Sequence, residues 1–256
     1  MPSGSLSLEA VSFSYPLTRA GVADITFSVQ ACEDVGIAGG NGAGKTTLFS
    51  LLTGLQIPDA GDILIDDITL SRKTLRDVRA KLGLVLQDAD DQLFCATALE
   101  DVAFGLIQRH LPEDEINRRA AEALRAVGVE HLADRPPFSL SGGEKKLVAI
   151  ASVLAMEPSV LLMDEPSAGL DPAARRELIG LLKGLPQTKL IASHDLDLLY
   201  ELCGRVLVLD GGRVAADGSA EDILGDEALM RAHRLEVPPV IALDRIRKQL
   251  KSEKIP

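Results

Sequence analysis

One octapeptide limits the possible folds of this 256-residue chain more than any other segment. Gly39-Gly40-Asn41-Gly42-Ala43-Gly44-Lys45-Thr46 fits the pattern G-x-x-x-x-G-K-[ST]. It lies between an apolar run, Gly36-Ile37-Ala38, and a stretch of helical period through Leu48, Leu51 and Leu52 that stops near Gly54. Glycines here let backbone N–H groups converge on phosphate oxygens, in dihedrals that side chains would obstruct. The helix behind presents its positive N-terminal end to the same anion. Lys45 supplies a point charge for the β/γ-phosphates, the Thr46 hydroxyl can ligate Mg²⁺, and Thr47 is placed at the α-phosphate. A glycine-rich turn that matches by accident is the alternative, and the rest of the chain decides between them.

The surroundings read as α/β. Leu6, Leu8 and Ala10 alternate with polar neighbours, as do Ile25, Phe27 and Val29; Ile63-Leu64-Ile65 and Leu84-Val85-Leu86 are further strands. From about Asp88 to Pro158 the period turns helical, with Ile116, Ala120, Ala123, Leu124 and Val127 on one face and Gly128 as C-cap. Continuous apolar runs then return at 160–163, 190–192 and 205–209, suited to strands buried on both faces of a parallel sheet. Asp210-Gly211-Gly212 marks a hairpin turn. The last segment, 226–256, is broken by Pro238-Pro239 and carries Leu243, Ile246 and Leu250 on a possible helix face. Arg245, Arg247, Lys248, Lys251 and Lys254 against Glu253 make it basic, which fits a solvated capping helix or a dimer contact better than membrane binding.

Composition excludes several classes. Acidic residues outnumber basic ones by 38 to 27, a formal net charge of −11, which argues against a surface tracking nucleic-acid phosphates. Aromatics at 3%, without a single Trp, argue against stacking platforms for single strands. An apolar share of 46% fits a chain that buries a sizeable core. The longest near-continuous apolar stretch, from Leu147 to Met156, is too short to span a bilayer. No positive charge precedes Arg19 and no apolar signal core is found, so export is not expected. Cys32, Cys95 and Cys203 form no CxxC pair and no metal spacing, and read as buried or idle thiols.

Two further constellations carry chemistry. Val160-Leu161-Leu162-Met163 delivers Asp164 and Glu165 at a strand end, where ligands of open α/β sheets sit. Asp164 would hold Mg²⁺ and Glu165 would polarise an attacking water, although two solvated acids at a strand exit are common. Leu140-Ser141-Gly142-Gly143-Glu144 opens an apolar helix, and Ser141 with Glu144 satisfies the capping-box spacing. On helix physics alone this is a capped core helix. Two glycines after the cap are poor helix formers, however, and leave exposed N–H groups able to take a phosphate.

With these residues in order, the chain resembles the ATP-binding cassette family over most of its length. The ordered set is Tyr15, the phosphate loop, Gln87, Leu140 to Glu144, Asp164-Glu165, Ser167-Ala168-Gly169-Leu170-Asp171 and His194. The resemblance implies a P-loop NTPase cassette with a RecA-like, mostly parallel sheet core, an N-terminal antiparallel β subdomain and a helical subdomain. One domain over 1–256 is expected: core at about 1–87 and 159–225, helical part at about 88–158, and a C-terminal extension at 226–256. It further implies two cassettes head to tail with two ATP molecules between them. Tyr15 would stack on adenine, His194 would hold the γ-phosphate, and Gln87 would sense Mg²⁺ and water. Ser141, Gly142, Gly143 and Glu144 would meet the ATP of the partner subunit, and Asp171 would couple the two sites. Taken singly, Tyr15 is equally a packed strand aromatic and His194 a satisfied strand-end histidine. Two positions depart from the family: Glu144 replaces the commoner Gln, and Leu147 stands where many relatives carry Arg.

Gln87-Asp88-Ala89-Asp90-Asp91-Gln92, with Glu100 to Gly105, looks like the ATPases of energy-coupling-factor importers, and 228–238 resembles their cobalt and nickel branch. That resemblance implies an ATPase on the cytoplasmic face of the cell membrane, peripheral to it. A second ATPase subunit (a copy or a paralogue), a transmembrane coupling subunit and a substrate-binding membrane subunit would be its partners. Cobalt or nickel is the expected cargo, with biotin or another vitamin as the rival. A cassette ATPase acting on nucleic acid or ribosomes is the rival of a different class, disfavoured because only one phosphate loop occurs and 87–141 is too short for a long coiled coil.

Overall fold

The structure, a computed structural model, describes the backbone of residues 4–18 and 20–252 and side chains through Ile246. Arg19, Glu253 and Lys254 lie outside the described residues, as do the side chains of Arg247, Lys248, Leu250 and Lys251 in the basic tail. Along the chain run β1 (Leu6–Ser14), β2 (Gly21–Val29), β3 (Asp34–Ala38), α1 (Lys45–Leu52), β4 (Ala60–Ile65), β5 (Ile68–Thr69), α2 (Leu75–Lys81) and β6 (Leu82–Val85). A helical stretch follows: α3 (Ala98–Gln108), α4 (Glu113–Ala126) and α5 (Gly142–Leu154). The chain then returns to alternation with β7 (Val160–Asp164), α6 (Pro172–Gly184), β8 (Thr188–Ser193), α7 (Leu196–Leu202), β9 (Arg205–Asp210) and β10 (Arg213–Ser219). It ends in α8 (Ala220–Leu224), α9 (Glu227–Ala232) and α10 (Pro239–Ser252).

The strands make two sheets. One is antiparallel in the order β2-β1-β4-β5. The other runs β10-β9-β3-β8-β7-β6, parallel except for its β10 edge. Burial on both faces explains the unbroken apolar runs. In β7, Leu161 and Met163 join the core shared with the helices, whereas Val160 and Leu162 join the core between the sheets. Each such side chain contributes about 1.5–3 kcal/mol when fully buried. Because β3 lies between β8 and β9, the loop leaving β3 emerges beside the carboxyl ends of β8 and β7.

Three details differ from the sequence expectation. Ala10 takes φ +52 within an irregular stretch of the β1 pairing, so the buried positions pass to Val11 and Phe13 and Ala10 itself is exposed. In α4 the expected face is buried at Ala120, Ala123 and Leu124, but the C-cap is Val127, and Gly128 follows it at φ +77. In α10 the anchor is Ile241, fully buried, while Leu243 and Ile246 are exposed. Val240 N–H donates to Asp197 Oδ1 (3.2 Å), which seats this helix on α7. Among the described residues no helix is long and apolar enough to cross a membrane.

Candidate functional site

The loop from β3 to α1 has the conformation its glycines permit. Gly42 and Gly44 sit at φ +78 and +110, and Gly44 is the N-cap of α1. A Cβ on Gly39 would fall 2.5 Å from the Leu209 carbonyl oxygen, so the loop rests directly on β9. With no side-chain cap and no acid in its first turn, α1 keeps its N-terminal N–H groups available for an anion. The Lys45 ammonium is buried and donates to Gly39 O (2.6 Å) and Gly40 O (3.4 Å), 3.8 Å from Glu165 Oε1.

Residues Gly40 to Thr47 line one hollow of about 240 Å³ together with Ala20, Gly21, Gln87, Asp164 and Glu165. The Asp164 carboxyl is hydrogen-bonded to the Thr46 side chain. Burial, then the Glu165 charge, pushes its pKa up, against the pull of Lys45, Thr46 and Lys146. Glu165 is held differently. At φ +46 it leaves the strand sharply, and its carboxylate accepts from Ser193 Oγ (2.8 Å) and from the His194 backbone N–H (3.0 and 3.1 Å). His194 Nδ1 stands 2.7 Å from Glu165 Oε2, while the ring is 70% exposed. With the carboxylate as acceptor, Nδ1 carries the proton.

Tyr15 packs edge-on against Phe13, ring centroids 4.9 Å apart, which is the packed-aromatic contact. Its N–H donates to Ala20 O (2.8 Å), and that turn is what brings Ala20 and Gly21 to the phosphate loop. Ser141, Gly143 and Glu144 do not reach this hollow. They line a second one of about 230 Å³ with Leu147, Asp171 and Glu177. Gly142 lines a third, of about 550 Å³, with Gln87, Lys146, Asp164 and Gly169. The capping box is present in both directions: Glu144 N–H donates to Ser141 Oγ (3.3 Å), and Ser141 N–H and Oγ donate to Glu144 Oε2 (2.7 and 2.8 Å). Asp171 caps α6, accepting from Ala173 and Ala174 N–H, bonds that hold its pKa down.

Two further residues matter to this site without belonging to any of the motifs. Lys146 is 3% exposed and donates to the carbonyls of Leu86 (3.0 Å) and Gln87 (2.7 Å). Burial lowers its pKa, and no ion pair among the described residues holds it. It pins the Gln87 strand end to α5; its signal was a lysine inside an otherwise apolar helix stripe. The other is Asp195, directly after His194, whose bonds to Arg175 depend on the packing of α6 against α7 and left no local trace.

The family profile described as "ABC transporter" matches residues 22–168. The chain therefore belongs to the ABC transporter family, as the ordered motifs implied; it is an ATP-binding, ATP-hydrolysing subunit of that family. An ABC transporter ATP-binding protein by name, from Geobacter sulfurreducens, is 51% identical over 224 residues, covering 88% of this chain and 90% of that one. The energy-coupling factor transporter ATP-binding protein EcfA3 of Clostridium perfringens is 41% identical over 250 residues, 95% of this chain and 88% of that one. The solved structure of cbiO1 from Clostridium perfringens, described as part of the ABC transporter complex cbiONQ, superposes with a TM-score of 0.81 at 40% identity. It covers 95% of this chain and 99% of its own.

Proposed function

We propose that this chain is the motor of an energy-coupling-factor importer, peripheral on the cytoplasmic membrane face, in which two cassettes close head to tail over two ATP molecules. The single observation that carries this is the separation of two phosphate-suited sites within one chain. Gly40 to Thr47 line one hollow and Ser141 with Gly143 another, so a nucleotide would need a second subunit to meet both. The core at about 1–87 and 159–225 would supply the first site, the helical part at about 88–158 the second, and 226–256 is an extension.

In this reading Gly39 to Thr47 bind the phosphates, Tyr15 packs at the adenine, and Ser141 to Glu144 face the partner's nucleotide. Glu165 orients the attacking water, His194 meets the γ-phosphate, and Asp171 couples the two sites. Thr46, Asp164 and Gln87 fit Mg²⁺: all are oxygen donors, they adjoin one hollow, and Asp164 already shares a hydrogen bond with Thr46. One carboxylate with two neutral donors leaves places for water and phosphate, as this ion prefers. When bound, Mg²⁺ would neutralise charge on the β- and γ-phosphates. Phosphoryl transfer needs positioning and electrostatics above all, and those are what the fixed N–H groups and Lys45 provide.

The transmembrane coupling subunit would dock beside the Gln87 loop. There Phe94 (65% exposed) and Phe104 (40% exposed) form an edge-on pair, with Ile107 exposed close by in sequence. Cobalt or nickel is the proposed cargo, with a vitamin as alternative, on the sequence likeness of 228–238. The cargo would be carried by a separate membrane subunit.

Glu165→Gln is the direct test. ATP affinity should stay within about twofold, while turnover drops at least about 100-fold, in the range of general-base loss. The variant should elute as a dimer with ATP. Wild-type turnover in Glu165→Gln would overturn the role of Glu165, and recovery of the native chain with nucleic acid instead of small membrane proteins would overturn the importer reading.

A further inference from the structure

Asp195 is the meeting point of chain segments that the two nucleotide sites use separately. Its Oδ2 accepts from Arg175 Nε (2.8 Å) and Ser167 Oγ (3.1 Å); its Oδ1 accepts from Arg175 Nη2 (3.1 Å) and Leu198 N–H (2.9 Å). Its own N–H donates to Ser193 Oγ (3.0 Å), and that hydroxyl donates onward to Glu165 Oε2 (2.8 Å). Arg175 sits one helical turn after Asp171, its N–H bonded to Asp171 O (2.9 Å), and its third donor reaches Glu201 Oε1 on α7 (3.1 Å). An unbroken path of hydrogen bonds thus joins the Glu165 carboxylate to the start of α6.

Capping of α7 accounts for only part of this. The cap uses Asp195 Oδ1 and Leu198 N–H; the Arg175 fork and the Ser167 hydroxyl attach the same carboxylate to two other segments. Burial by itself would raise the Asp195 pKa, yet Arg175, Leu198 and Ser167 together hold it below the usual carboxylate range. A two-point guanidinium–carboxylate pair fixes direction as well as distance, which a lysine cannot reproduce. Neither Arg175 nor Asp195 lines the hollows of the phosphate loop or of Ser141. Ser167, by contrast, opens the turn whose next residues, Ala168 to Leu170, line the cavity shared with Gln87 and Asp164.

We propose that the Arg175–Asp195 pair is a positioning device that locks the 167–171 turn to the Ser193–His194 segment, so that movement of Asp171 at the subunit interface resets Glu165 and His194. The proposal rests on the paired-site reading above. It makes Arg175 a positioning residue that never touches nucleotide.

The test uses the full chain and three measurements: ATP binding by titration, melting temperature, and hydrolysis against ATP concentration. Arg175→Met should bind ATP within about twofold of wild type, while kcat falls about tenfold, inside the hundredfold that a 1 Å misplacement can cost. Its Hill coefficient should drop toward 1. Arg175→Lys keeps the charge without the fork, and should regain melting temperature but not the Hill coefficient. Wild-type kcat and Hill coefficient in either variant would overturn the proposal. A wild-type Hill coefficient of 1 would instead sink the paired-site reading, and the proposal with it; hydrolysis that survives Glu165→Gln would overturn the role of Glu165 and leave the pairing of the two sites standing.

Discussion

Adjacent carboxylates at one strand end live under opposite conditions. Glu165 is surrounded by donors, the Ser193 hydroxyl and both the backbone N–H and ring of His194. Among the described residues the Asp164 carboxyl is hydrogen-bonded to the Thr46 side chain, and burial beside Glu165 raises its pKa. A folded-state pKa above the unfolded one means that ionising Asp164 costs stability. The penalty is absent below the unfolded pKa and builds to its full size as pH rises past the folded one. Asp164→Asn should therefore raise the melting temperature of the nucleotide-free chain at pH 7 by about 2–4 °C per kcal/mol recovered. The gain should fade as pH falls, and the extra stabilisation by Mg²⁺ with ATP should vanish. Scanning calorimetry across pH, with and without Mg²⁺ and ATP, checks both halves. At this scale the sequence was most legible for contacts within a few residues, such as the Ser141–Glu144 capping box. His194 and Glu165 were named one by one, but their 2.7 Å contact was not, because 29 positions separate them and only the pairing of β7 with β8 brings them together.

At the scale of elements, α5 does more than open with the Ser141 cap. Its Lys146 reaches across to the carbonyls of Leu86 and Gln87, and Gln92 closes the same loop by accepting from Leu86 N–H (3.1 Å) and donating to Ala149 O (2.8 Å). The Gln87 segment and α5 are thereby stapled into one unit. Lys146→Met would leave two carbonyls without their donor, a loss of about 1–3 kcal/mol. Faster amide exchange confined to residues 86–92, with nucleotide affinity unchanged, is the expected result; exchange spread evenly over the chain would show general destabilisation instead. Helical periodicity identified α4 and the apolar face of α5. It gave no warning of α2, whose single buried residue is Val78, because one apolar contact in a short helix leaves no period to read.

Across the whole molecule, two cores share the same central strands. The core that contains Val102 and Leu124 of the helical part also contains Met163 and Ile191 of the parallel sheet. The core between the sheets takes Val160, Leu162 and Leu190 from those same strands. Neither layer can lose its packing without exposing a face of β7 and β8. Heating should thus give one calorimetric transition with calorimetric and van't Hoff enthalpies in agreement; two resolved transitions would show that the helical part melts on its own.

The net charge of −11 set the chain apart from nucleic-acid binders, and it conflicts with nothing in the proposed phosphate site, which would use backbone N–H groups, a helix end and one lysine. Those features are local. A glycine loop, a cap and a carboxylate pair are dictated by neighbours along the chain, so the linear order of residues sufficed to establish the family, the α/β class and the candidate groups. Packing decided the rest: which acid is partnered and which is raised by burial, that Lys146 grips the Gln87 strand end, and that Arg175 ties Asp195 to the start of α6. Such relations depend on distances between elements far apart in sequence, set only when apolar faces close on one another, and no local pattern encodes them.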